Sequence, residues 1–237
     1  MTSIGRYKAV RGMGGTLPDA NVVWREIEEK IFTILNNYAY EEIRLPIIEY
    51  SEVFNRSIGD TSDIVQKEMY SFLDRNNESL TLRPEGTAGC VRAILENNLL
   101  NDKTPARLWY HGPMFRYERP QRGRQRQFHQ IGLELFGSTN IQAELELIFI
   151  LSRIWRSLGL DDLNLEINSL GSTEERNNYK NNLSKYFEQH TDLLDDQSRK
   201  RLKDNPLRLL DSKNVEIQKI AATAPSISNY LSKESKI

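Results

Sequence analysis

The sequence predicts an α+β fold built on an antiparallel sheet flanked by helices, and three features carry that prediction. Short strand-like segments come in pairs joined by turn-rich stretches, long helical stripes lie on either side of those pairs, and strand and helix never alternate in the regular order of a parallel sheet. At 237 residues the chain exceeds the usual size of a single domain, roughly 100–200 residues. A change of texture near residue 170, where charged and amide side chains begin to dominate, divides it into a core, 1–170, and a helical region, 171–237.

After Pro18-Asp19, apolar residues at Val23, Ile27, Ile31, Ile34, Leu35 and Tyr38 recur at the helical period of about 3.6, so a long amphipathic helix is expected. Glu42-Ile43-Arg44-Leu45 then reads as a short strand stopped by Pro46, which has no N–H for a sheet ladder. Met69 to Leu73 and Ser79 to Arg83 flank the turn-forming Asp74-Arg75-Asn76-Asn77 and form a hairpin. A helix follows Pro84, through Val91, Ile94 and Leu95. A second hairpin pairs Leu108–Tyr117 with Phe128–Phe136 across a polar loop containing Pro120 and Gly123. Ala143, Leu147, Ile150, Leu151, Ile154 and Leu158 mark another long helix, stopped by Gly159, and Leu163, Leu165 and Ile167 alternate as a strand. Beyond Gly171 only sparse stripes such as Tyr179, Leu183, Tyr186 and Phe187 remain.

With 32 Lys and Arg against 33 Asp and Glu, no global charge excess advertises a nucleic-acid partner, so such a partner has to be held by local patches. The one cysteine, Cys90, forms no internal disulfide, and no Cys or His pairing has metal-ligand spacing; a reducing, cytosolic setting is expected. His111, His129 and His190 stand alone and read as structural. The start of the chain lacks the apolar core of a signal peptide, and no run approaches the ~18–20 apolar residues of a membrane span. A soluble protein with no membrane partner is expected.

The chemistry is concentrated in three segments. On Phe128–Phe136, period-2 geometry puts Ile131, Leu133 and Leu135 on one face and Phe128, Gln130, Gly132, Glu134 and Phe136 on the other. An amide and a carboxylate flanking a glycine read either as an ordinary polar face or as walls around a floor for a small ligand. The preceding loop, Arg116 to Arg126, holds five arginines, one glutamate and no lysine. Planar guanidinium forks grip phosphate oxygens bidentately, so a polyphosphate or an RNA backbone is the natural guest; a solvated basic turn is the plain alternative. Thr81-Leu82-Arg83-Pro84-Glu85-Gly86-Thr87 adds a carboxylate and a hydroxyl on a strand-to-helix turn, for a ligand or simply to cap the helix.

Together these segments resemble the class II aminoacyl-tRNA synthetases, and within them the histidyl-tRNA synthetase family. Lys8-Ala9-Val10-Arg11-Gly12-Met13 with Leu17-Pro18 is similar to the family's opening; the first helix, the strand and Pro46 resemble motif 1, the dimer-forming element. Leu82 to Ala88 resembles the family's histidine-binding turn, and Phe115 to Pro120 through Phe128-His129-Gln130 resembles motif 2. The resemblance implies that Glu85, Gly86, Thr87, Gln130 and Glu134 bind histidine. It implies that Arg116 is the catalytic arginine, on the ATP α-phosphate and the attacking carboxylate, with Glu118, Phe128 and Arg124 also binding ATP. Gln121, Arg122 and Arg126 would meet the acceptor end of tRNA(His). Magnesium would accompany ATP, with no side-chain motif of its own, and the partners implied are histidine, ATP, tRNA(His) and a second copy of the chain.

The resemblance covers essentially the whole chain, yet the family's Arg-Gly-Leu-Asp-Tyr-Tyr segment, motif 3 and anticodon-binding domain are not found in the 237 residues. The sheet is therefore expected to be incomplete, residues 171–237 to be the start of the family's helical insertion domain, and adenylate formation and tRNA charging to be impaired. Two non-catalytic readings compete: the synthetase-like, histidine-binding regulatory subunit of ATP phosphoribosyltransferase, and a tRNA-binding fragment. The intact arginine-rich loop favours the synthetase.

Overall fold

The computed structural model describes residues 7–59, 62–100, 105–138 and 140–236. The chain divides into two compact units, Met1–Leu163 and Asn164–Ile237.

In the first unit the order is α1 (Pro18–Asn37), β1 (Glu41–Glu42), β2 (Ile48–Tyr50), α2 (Ser51–Ile58), a π-helical turn (Ile64–Glu68), β3 (Tyr70–Leu73), β4 (Ser79–Leu82), α3 (Thr87–Glu96), β5 (Ala106–Phe115), β6 (Gln127–Phe136) and α4 (Ile141–Ser157). One sheet has the order β1-β5-β6 and a smaller one β2-β4-β3. Every pairing is antiparallel except β1 with β5.

The larger sheet is covered on both faces. Ile31, Leu35, Trp109, Ile150 and Ile154 join α1 and α4 to one face, with Ile131 and Leu133 packed against them. Cys90, Ile94, Leu108, Tyr110 and Met114 join α3 to the other, with Phe128 and Phe136 alongside. Strand alternation thus sorts odd-numbered side chains of β5 and β6 toward α1 and α4 and even-numbered ones toward α3. Cys90 is fully buried, and burial pushes its thiol up to about 12, which leaves it an inert core residue.

Two expectations are corrected. The strand over Glu42–Leu45 shrinks to Glu41–Glu42, extended by one bond from Ile43 N–H to Trp109 O at 2.8 Å. Beyond it the carbonyl of Leu45 accepts from Arg83 Nη1 at 2.8 Å instead of from a neighbouring strand. Residues 160–172 form no strand, and Leu163, Leu165 and Ile167 are 56%, 63% and 55% exposed. Alternation is not sufficient for a strand, which exists only when a second backbone pairs with it, and no described segment does so here.

Arg83 welds the two sheets. Its N–H donates to Ile47 O, its carbonyl accepts from Phe115 N–H, and its buried guanidinium donates to Pro113 O at 2.8 Å. Gly112, at φ 148°, admits that guanidinium, because any Cβ there would collide with it.

The second unit is helical: α5 (Thr173–Glu188), α6 (Asp196–Asp204) and α7 (Val215–Ala221), with short 3-10 turns between and after them. Its core is Tyr179, Leu183, Phe187, Leu194, Leu209, Ile217 and Ile220. Ser172 and Glu175 form a reciprocal capping box at the start of α5. Glu175 also accepts from Ser232 N–H at 2.6 Å and Ser235 Oγ–H at 2.8 Å, which ties the end of the described chain to α5.

Leu35 is fully buried between the helices and the sheet, so Leu35→Ala should destabilise the first unit by about 3 kcal/mol in urea unfolding, through the lost apolar contact and the cavity left behind. Hydrogen bonds from Ser172, Ser232 and Ser235 hold the Glu175 carboxyl down to about 2, against an ordinary value of 4.5. A depressed carboxylate stabilises the fold above its unfolded value and loses that contribution as pH falls through the folded one. Glu175→Gln should therefore lower the unfolding midpoint of the second unit at pH 7, with the difference from the parent chain closing between pH 4.5 and about 2.

Candidate active site

The register of β5 and β6 builds the site. Leu108 lies opposite Glu134, Tyr110 opposite Gly132, Gly112 opposite Gln130 and Met114 opposite Phe128. All belong to the even-numbered face, the one that meets the first turn of α3.

There Thr87 Oγ1 donates to Glu134 Oε1 at 2.7 Å, and the Tyr110 hydroxyl donates to the same oxygen at 3.3 Å. Burial raises the Glu134 carboxyl above the usual range, the two hydroxyls pull it back, and the charge of Glu85 raises it again. Glu85 itself caps α3, accepting from Thr87 N–H at 2.6 Å and Ala88 N–H at 2.9 Å through its two oxygens. The capping alternative thus holds for Glu85, while the Thr87 side chain reaches across to β6. Gln130 Oε1 is buried with no hydrogen-bond partner among the described residues. Buried acceptors are nearly always satisfied, so the Gln130 carbonyl retains the capacity to accept a hydrogen bond.

The gap at Gly132 is taken up by a side chain of the neighbouring strand. A Cβ built on Gly132 would overlap the ring of Tyr110, and so would one built on Gly86, at the N-terminus of α3. The space left by the two glycines is filled by this aromatic side chain, which is only 2% exposed. Its role was invisible in the sequence, because only the strand register shows which residue faces Gly132.

Arg116 follows β5 directly. Its Nε donates to Pro84 O at 2.9 Å and its guanidinium lies 5.1 Å from the centre of the Phe128 ring. Both contacts hold it beside the Phe128 end of the same face, and its charge also acts on the Glu68 carboxyl, opposing the upward push of burial there.

The rest of the arginine-rich loop is more ordered than a solvated turn. Gln121 and Arg124 exchange two backbone hydrogen bonds of 3.0 Å, leaving Arg122-Gly123 as the tip, with Gly123 at φ 76°. Arg124 Nε pairs with Glu118 Oε2 at 3.0 Å. Arg126 Nε donates to Glu118 O at 3.1 Å, and its guanidinium sits 4.2 Å from the Tyr117 ring centre. Gln121 and Arg122 are exposed. The structure therefore gathers Glu85, Gly86, Thr87, Gln130 and Glu134 together, sets Phe128 and Arg116 beside them, and leaves Gln121 and Arg122 away at the hairpin tip.

The root of the loop is strapped by the N-terminal segment. The carbonyl of Gly12 accepts from Arg126 N–H at 2.8 Å and Gln127 N–H at 2.9 Å. Gly12 has φ 80°, and a Cβ on it would press on Pro120 and Arg126 at 2.9 and 3.1 Å. This gives a physical reason for the glycine in Arg11-Gly12-Met13 that no local pattern supplied.

Comparison with known proteins agrees with this geometry. A family model described as histidyl-tRNA synthetase matches residues 12–223. Among solved structures, apo histidyl-tRNA synthetase of S. aureus is 35% identical, with a TM-score of 0.75 over 96% of this chain and 51% of that one. The chain thus spans about half the length of that relative. A Bacillus halodurans protein described as an ATP phosphoribosyltransferase regulatory subunit/histidyl-tRNA synthetase shares the fold at 21% identity and a TM-score of 0.60, over 95% of this chain and 61% of that one. Pyrrolysyl-tRNA synthetase of Desulfitobacterium hafniense shares it at 20% identity and a TM-score of 0.51, over 61% and 50%. With a family model spanning most of its length and a solved relative covered at more than a third identity, this chain belongs to the histidyl-tRNA synthetase family.

Proposed function

We propose that the chain carries the histidine pocket and part of the ATP site of a histidine–tRNA ligase. The observation that supports this most directly is the convergence of Gln130, Glu134, Thr87 and Arg116 on one face of the β5–β6 pair. In this reading Glu134 and the orphan carbonyl of Gln130 accept N–H groups of histidine, and Gly86 and Thr87 close the turn beside them. Glu85 adds negative charge near the ammonium while capping α3.

The chemistry asked of the protein is positioning and charge compensation. A carboxylate nucleophile is already ionised at neutral pH, so no base is required, but it has to approach an anionic phosphate. Arg116, preset by Pro84 O and Phe128, offsets that repulsion and needs little rearrangement. Phe128 and Glu118 would hold adenine, and Arg124 would exchange Glu118 for the outer phosphates. Magnesium would accompany the ATP, held largely by its phosphates. The exposed Gln121 and Arg122, with Arg126 behind them, would meet the acceptor end of tRNA(His). A second copy of the chain would cover the apolar surface at Ile47, Ile48, Tyr50, Phe72 and Leu73, all exposed on and beside β2 and β3. No described helix is long and apolar enough to cross a membrane.

The second reading, a histidine-binding regulatory subunit, has the shared fold of the Bacillus halodurans protein in its favour. Histidine-dependent exchange of pyrophosphate into ATP separates the two. On the ligase reading, any exchange given by these 237 residues, weak as it would be, depends on added histidine. Histidine binding with no exchange at all would favour the regulator. Arg116→Ala should weaken ATP binding by about tenfold or more in calorimetry, the usual worth of a charge-assisted contact, and leave histidine binding in place. Arg122→Ala should weaken tRNA binding and lower the slope of log affinity against log salt by about 1, with no effect on ATP binding.

A further inference from the structure

We infer that Tyr110 is a positioning residue for the histidine pocket: its ring forms the floor between Gly86 and Gly132, and its hydroxyl fixes which oxygen of Glu134 the ligand meets. This rests on the reading of Glu134 as a histidine-binding carboxylate. Three observations lead to it. Tyr110 stands directly across the strands from Gly132 and is almost fully buried. Cβ atoms at both Gly86 and Gly132 would overlap its ring, so the two glycines and the tyrosine form one interlocked set. Finally, Thr87 and Tyr110 both donate to Oε1 of Glu134, at 2.7 and 3.3 Å, while Oε2 accepts nothing among the described residues.

The consequence is directional. With Oε1 occupied by two hydroxyls, Oε2 is the oxygen that presents itself to a ligand N–H. The donors also stabilise the ionised carboxylate, which is the form that accepts. The titratable groups facing Glu134 are Glu85 and Cys90 from the turn and helix of α3 and Tyr110 from β5. Burial and Glu85 raise the Glu134 carboxyl, and Thr87 and Tyr110 oppose them. Loss of the Tyr110 hydroxyl thus moves Glu134 ionisation to higher pH, with the packing of the ring untouched.

The test is calorimetric titration of L-histidine into this chain and into its Tyr110→Phe variant across pH 4–8, where the ionisation of free histidine is common to both. Tyr110→Phe should keep the unfolding midpoint, bind histidine about tenfold more weakly at neutral pH and lose affinity at a pH about one unit higher. In a Glu134→Gln background the same substitution should cost nothing further, because the tyrosine acts through the carboxylate. In the unmodified chain the Tyr110 Cζ resonance should shift at the pH where the Glu134 carboxyl titrates, which keeps the inference testable even if Tyr110→Phe folds poorly. Unchanged affinity and pH limb in Tyr110→Phe, additive losses in the double variant, or a Tyr110 signal indifferent to Glu134 would each overturn the role of Tyr110 and leave the histidine pocket standing. No histidine binding by the unmodified chain would remove the pocket and this inference together.

Discussion

The register between β5 and β6 is the constraint on which the rest of the first unit depends. Ten consecutive residue pairs, from Ala106 with Phe136 to Phe115 with Gln127, leave no freedom in which side chain meets which. A slip of one residue would turn Gln130 and Glu134 toward α1 and α4 and bring Ile131 and Leu133 against α3, exchanging a polar pocket for a hydrophobic one. Apolar packing holds the register from both sides: Trp109, Ile131 and Leu133 pack against the two long helices, and Leu108, Tyr110 and Met114 pack with α3. The site on the even face is therefore secured by packing on both faces of the sheet.

Polar side chains then do the local work that the hydrophobic core cannot. Arg83 satisfies the Leu45 carbonyl, left over where β1 ends early, and the Pro113 carbonyl of β5. Glu85 satisfies two free amides of α3, and Thr87 and Tyr110 satisfy one oxygen of a half-buried Glu134. The carbonyl of Gln130 is one of six buried side-chain atoms with no hydrogen-bond partner among the described residues, and it is the one that shares the even face of β6 with Glu134.

The arginine-rich loop shows how a run of like charges is made tolerable. Arg116 and Arg126 lie against aromatic rings, and Arg124 is paired with Glu118. A backbone pair at Gln121 and Arg124 closes the tip, and the carbonyl of Gly12 closes the root. Charge repulsion that would otherwise open the loop is met by these contacts.

Most elements were legible from local chemistry, for reasons that differ between them. The helical stripe of Ile27, Ile31, Ile34 and Leu35 and the capping glycine at 159 are read within a few residues, because helices satisfy their own backbone. The face carrying Gln130, Gly132 and Glu134 was likewise legible, since alternation along a strand needs no partner to define it. What alternation could not decide was whether a partner exists: Leu163, Leu165 and Ile167 have the pattern of a strand and pair with nothing among the described residues. By itself, then, the sequence determined periodicity, turn positions, the two faces of β6 and the dense arginines of the loop. Only the tertiary structure decided that Tyr110 fills the gap at Gly132, that Arg83 joins the sheets and that Gly12 straps the loop. Those contacts link residues 22 to 115 positions apart, and they depend on register and packing, which no local window contains.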